Sequence, residues 1–332
     1  MAYRIGLIAV FTWLLLAKGG NSYGQNLDSS RGNITFVKQI AASELQKSKN
    51  SFKEKLKWVI FGTKRTALKK PVACYPDRNG GLWILDQDPG KILYLKPTGE
   101  LEVPHFIEKK GFNFSSLVGI CAFKENSFLI TDSHLKGVFV LNGDKKTFQP
   151  LNESLNLERP TGIVYDPVKK IIWVTETGKH RLVALNENGI VVDSLGQRGI
   201  APGEFNYPTH ISLDKKGALY VSDAMNFRIQ VFDKLKNNIA VFGRNGDGSG
   251  SMASPKGIAV DSRGNIYLVD ALFHAIQLFN LKGEFLYSFG GQGTEQSQFY
   301  LPTGLTITSN DLIYISDTYN SRIQVFQYKP II

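Results

Sequence analysis

Long apolar runs are nearly missing from this chain of 332 residues. The one candidate, Ile5 to Ala17, has thirteen residues behind a short basic start at Met1 to Arg4. At ~1.5 Å per residue it is too short to span a bilayer. It suits the apolar core of a secretory signal covering residues 1–24, with an uncleaved N-terminal anchor as the other reading. Cysteine is also scarce, with Cys74 and Cys121 the only two, so no disulfide framework holds the chain together. Export would permit one bridge between them, whereas retention as buried free thiols needs no close approach of the two Cα atoms.

A charge excess is absent from most of the chain as well. The formal net charge of +10 suggests nucleic acid as a partner, yet from Pro71 onward 26 basic residues face 26 acidic ones. Between residues 31 and 70, eleven Lys or Arg face only Glu44 and Glu54. The basicity therefore belongs to an N-terminal arm, residues 25–55 and just beyond, and not to the body. No nucleic-acid partner is expected. The arm could touch an anionic membrane surface, but too few apolar residues share one face to anchor it there.

What the chain has in abundance is self-similarity. Units open at Pro71, Leu117, Pro160, Pro208, Pro255 and Pro302, at spacings of 46, 43, 48, 47 and 47 residues. Each has an acidic residue closing its second apolar run: Asp86, Asp132, Glu176, Asp223, Asp270 and Asp317. Five residues later a third run begins, with Arg181, Arg228 and Arg322 at that position in three copies. The fifth unit reads as four short strands, GIAVD, NIYLVD, AIQLF and EFLYSFG, separated by turn-forming residues. Third runs such as Val138 to Leu141 are apolar at successive positions, which means that both sheet faces are covered. Small sheets buried on both faces and repeated at a period of about 40 to 50 residues build a propeller. The expected fold is all-β: a six-bladed β-propeller of four-stranded antiparallel blades over residues 56–330.

The segments Pro208 to Phe232, Pro255 to Phe279 and Pro302 to Phe326 resemble the NHL repeat, with its P-x-G-I-A-V-D, I-Y-V-x-D and N-x-R-I-Q-V-F blocks. The resemblance implies the propeller, but similar propellers serve as scaffolds, sensors and a few enzymes, so it leaves function open.

The sixth unit stops after three strands. Trp58 to Gly62 (WVIFG) matches the fourth strands Ile239 to Gly243 and Leu286 to Gly290. Residues 57–62 are therefore expected to supply the outer strand of blade six and close the ring.

In a propeller, the connection entering the first strand and the one between the second and third strands share a face. Two residues past each opener, at the channel mouth, stand Ala73, Gly119, Gly162, His210, Gly257 and Gly304, a set with one possible metal ligand. A catalytic zinc needs about three. The resemblance to the amidating lyases and lactonases of related propellers implies a metal-dependent lyase or hydrolase as the alternative function. His180 and His274 lie further out, however, and the loop Asn245 to Gly250, which faintly resembles a calcium loop, has Lys256 where a bidentate Glu is required. No metal or other cofactor is expected. The repeated acid and Arg positions read as structural brackets, because a catalytic pair needs one distinct environment and not the same one several times over. The favoured expectation is a secreted or periplasmic, non-catalytic module that takes a protein, peptide or envelope ligand on the mouth face. Its candidate binding residues are His210, Lys256, Met225, Phe227, Phe273, His274 and Tyr319.

Overall fold

The computed structural model describes residues 33–41, 66–106 and 113–329. They form six four-stranded antiparallel sheets arranged as the blades of a propeller. Blade five shows the unit: strands Pro255–Val260, Ile266–Asp270, Ala275–Phe279 and Phe285–Gly290 follow one another from the channel outward. Pro255 pairs with Asp270 at one end, and a bulge intervenes before Ile258 meets Leu268. Among the described residues no helix is long and apolar enough to cross a membrane.

The second strand of each blade is its hydrophobic centre. Leu82–Asp86, Leu219–Asp223 and Ile266–Asp270 are buried at every position, because their side chains alternate between the two neighbouring blades. The core is consequently divided among the gaps between blades. Trp173, Leu182 and Ala184 of blade three meet Ile211, Val221 and Phe232 of blade four; Tyr267, Val269 and Ile276 of blade five meet Ile313, Ile315 and Phe326 of blade six. The gap that joins the last blade to the first is filled by Tyr314, Ile323 and Val325 against Cys74, Ile84 and Leu93. Each such fully buried aliphatic or aromatic side chain contributes about 1.5–3 kcal/mol relative to exposure.

An N-terminal strand closes the ring, but not the one expected. The outer position of blade six is held by Asn33–Ala41, paired antiparallel to the last strand, Arg322–Lys329, from Asn33 opposite Lys329 to Ala41 opposite Arg322. That edge is taken over its full length, which corrects the assignment of residues 57–62 to it; those residues lie outside the described ones. The strand also falls within residues 25–55, so this stretch is not only a solvated arm. A bulge at Val37 lets one strand serve two gaps. Ile34 and Phe36 pack toward blade five, with Phe36 edge-on to Phe326 at 5.7 Å, while Ile40 packs with Leu68 and Ile323 on the side of blade one.

The two cysteines are free and buried. Cys74 faces the gap between blades six and one and Cys121 the gap between blades two and three, so they turn away from each other and the possible bridge is not made. Burial pushes both thiols up to about 12.

Candidate binding face

The second-to-third strand connection is built alike in most blades. Lys136, His180, Phe227, His274 and Ser321 all occupy the left-handed region at φ between 53° and 55°, and Gly90 does so at 67°. For residues other than glycine this conformation costs about 1–2 kcal/mol. The acidic closer holds it in place. Asp223 accepts from the Asn206 backbone N–H, from Asn226 Nδ2 and from Gln230 Nε2, and pairs with Arg228 Nε at 2.8 Å. Asp317 repeats the set with Tyr300 N–H, Asn320, Gln324 and Arg322, the last at 2.7 Å. Arg228 and Arg322 then donate onward to three backbone carbonyls each in the loop entering their blade. Asp86, Asp132 and Asp270 are bonded by backbone N–H groups instead.

Electrostatics follow the partners. Burial works against the charge of Glu176, but hydrogen bonds from the Glu158 N–H and from Arg181 hold its pKa below the usual carboxylate value. Asp270 faces Ala275 instead of an arginine, and burial raises its pKa.

Hydroxyls flanking the closers stitch successive blades together at the channel wall. Ser133 Oγ donates to Pro160 O at 2.6 Å, Thr177 Oγ1 to Pro208 O at 2.6 Å, Ser222 Oγ to Lys256 O at 2.7 Å and Thr318 Oγ1 to Pro71 O at 2.9 Å. The glycines two past the openers allow this approach. A Cβ on Gly162 would lie 2.8 Å from His210 Cα, and one on Gly304 would lie 2.3 Å from Val72 O. Their recurrence reflects the closeness of backbones, and only blade four places a large side chain there.

That side chain, His210, is half-buried, and its Nδ1 is buried without a hydrogen-bond partner, as is Oγ1 of the adjacent Thr209. Desolvation, and then the neighbouring charge of Lys256, lower the His210 pKa to about 3, so the ring is neutral at pH 7. Lys256 is itself half-buried; burial and then the charge of Arg159 lower its pKa, while Asp270 opposes them. His210 and Lys256 thus stand on the inner strands of adjacent blades, and the charge of Arg159, just before the opener of blade three, reaches Lys256.

The remaining candidates form a rim further out. Met225 is 53% exposed and Tyr319 54%. Tyr319 lies 5.8 Å from Tyr300, which stacks on His274 at 5.5 Å, and Lys70 sits over Tyr319 at 5.6 Å. His274 Nδ1 accepts from the Leu301 N–H, as His180 Nδ1 does from the Tyr207 N–H, so both histidines join neighbouring blades. Phe227 is half-buried and packs against the core between blades four and five. Phe273 is half-buried. Sequence reasoning missed Arg159, Tyr207 and Tyr300, which precede their openers by one or two residues; extending each unit two residues upstream would have found them.

Among the described residues no three His, Cys, Asp or Glu side chains converge to hold a metal ion. The donors at the mouth reduce to His210, whose neighbours are cationic, and this does not fit the metal centre that the alternative enzymatic reading requires.

Comparison with known proteins agrees with this architecture. The NHL repeat family profile matches residues 205–232 and 299–326, the cores of blades four and six. The protein is an NHL-repeat β-propeller. It is 33% identical over 82 residues to NHL repeat-containing protein 3 of Mus musculus, an alignment covering 24% of each chain, so it spans about a quarter of that relative's length. Over 213 residues it is 27% identical to lactonase drp35 of Staphylococcus aureus, covering 48% of this NHL propeller and 64% of the lactonase. Among solved structures, an auxiliary nutrient binding protein from Bacteroides thetaiotaomicron superposes with a TM-score of 0.61 at 15% identity, covering 79% of this chain and 69% of that one, which is a likeness of fold.

Proposed function

We propose that this NHL propeller is an exported, non-catalytic binding module that takes a peptide, protein or envelope ligand on its mouth face. One observation carries this reading. Met225, Leu272, Tyr300 and Tyr319 stand 40–59% exposed on one face, while the six acidic closers behind them are buried and engaged by structural donors. Exposed aromatic and Met side chains offer large, adaptable contact area, and engaged carboxylates are not free for acid–base work. Export rests on the sequence of residues 1–24.

A second reading, a metal-dependent hydrolase or lyase, is favoured by the 213-residue similarity to a lactonase. Affinity capture from the extracytoplasmic fraction separates the two when wild type, Tyr319→Ala and Met225→Ala are used as baits and metal content is measured on the same samples. The binding reading expects a ligand retained by the wild type and lost by the variants, with no stoichiometric metal. Undiminished capture by both variants would remove the face from consideration, and stoichiometric zinc or calcium would favour the enzyme.

A further inference from the structure

We propose that the channel mouth beside blades three to five holds an oxyanion, the carboxylate or phosphate end of the ligand, between Lys256, Arg159 and the Thr209 hydroxyl. This inference rests on the mouth face being the ligand face and adds the chemistry of what is bound there.

Thr209 and Lys256 stand on the inner strands of successive blades, Pro208–Leu213 and Pro255–Val260, and Arg159 immediately precedes the inner strand of blade three, Pro160–Asp166; the backbones of these strands are tied together. Thr161 Oγ1, two residues beyond Arg159, donates to Thr209 O at 2.7 Å, and Ser222 Oγ of blade four donates to Lys256 O at 2.7 Å. Lys256 takes the position that Thr161, Thr209 and Thr303 hold in blades three, four and six, so a charge replaces a hydroxyl at one point of the ring. Neither Lys256 nor Arg159 has a carboxylate partner among the described residues. Two other cations of this face do: Lys69 lies 3.9 Å from Asp88 and Lys179 lies 3.2 Å from Glu176.

Lys256 is a half-buried cation that feels the charge of the exposed Arg159 and has no counter-charge, which is costly, and a bound anion relieves the cost. The acid nearest Lys256 in effect, Asp270, is committed to the backbone N–H groups of Ala253, Ser254 and Phe273. Thr209 Oγ1 supplies a buried hydroxyl with no other partner, and its O–H can donate to the anion. His210 Nδ1, buried and unpartnered next to it, makes the ring a reporter of the site. The body from Pro71 onward has no net charge, so this concentration of positive charge is local.

The test is a titration of the purified full chain with sodium phosphate and, separately, with sodium acetate, at constant ionic strength set by sodium chloride, following the His210 ring resonances by NMR. A saturable shift is expected with at least one of the two anions. A response to phosphate alone assigns the anion to a phosphate-bearing ligand, and a response to acetate alone to a carboxylate. Lys256→Gln should weaken the response by about 10-fold or more, the worth of a hydrogen bond to a charged group. Lys145→Gln, in the opposite-face hairpin of blade two, should leave it unchanged. Thermal unfolding checks that the variants fold, and Arg159→Gln serves if Lys256→Gln does not. No saturable shift with either anion, or an equal shift in the folded variants, overturns the proposal. Because the titration uses no captured ligand, such a failure leaves the mouth-face reading to be judged by the Tyr319→Ala capture alone.

Discussion

Thr318 Oγ1 of the last blade donates to Pro71 O of the first at 2.9 Å. The bond belongs to the hydroxyl-to-carbonyl series that runs around the channel, here crossing the gap where the two ends of the ring meet. Replacing Thr318 or Thr177 by Val keeps the shape and removes the hydroxyl. Each change is expected to cost ~1 kcal/mol, and because the two sites are far apart the costs should add. Urea unfolding of the single and double variants checks this; a neutral Thr318→Val would show that the closure does not depend on the latch.

Gly304 allows that closure at the backbone level, since a Cβ there would lie 2.3 Å from Val72 O. Gly304→Ala should destabilise by ~1–3 kcal/mol as the blades are forced apart. The urea midpoint measures it, and an unchanged midpoint would mean that the gap between blades six and one is looser than the backbone spacing implies.

Asp317 accepts from the Tyr300 N–H and from Asn320, Gln324 and Arg322 in the interior of blade six. Asp317→Ala leaves the Arg322 guanidinium half-satisfied in a buried setting, for which ~3–5 kcal/mol is the expected loss. A cost under ~1 kcal/mol by chemical denaturation would contradict the bracket role.

The repeat was legible because its markers are forced by chemistry: an acid at each closer to satisfy backbone donors, and glycines where neighbouring strands nearly touch. The clasp was misread for the opposite reason. Outer strands are only half covered, as Phe285–Gly290 is throughout, so many apolar pentapeptides fit the position and WVIFG resembled them as well as the strand that serves. Of the site, His210 and Lys256 could be placed at the mouth by counting from the openers. The influence of Arg159 on Lys256 could not be read in that way, since Arg159 stands before the opener of a blade two places away in the ring.

Acid should act on the protein through His210. Its pKa is about 3 when folded against an ordinary 6.5, so the unfolded chain takes up a proton there first. The stability this neutral ring contributes is complete above pH 6.5 and is lost as pH falls from 6.5 toward 3. His210→Gln removes that dependence. The Tm of the wild type should fall more steeply than that of the variant between pH 7 and pH 4.5; parallel profiles would place the ring in solvent.

The central claim, that the mouth face receives the ligand, is tested most directly by hydrogen exchange on the protein with and without the material it captures from the extracytoplasmic fraction. Protection is predicted in the connections 133–136, 177–180, 224–227, 271–274 and 318–321, with the opposite-face hairpins 77–81, 143–146 and 214–217 unchanged. Protection of those hairpins, with the mouth connections unaffected, would contradict the account.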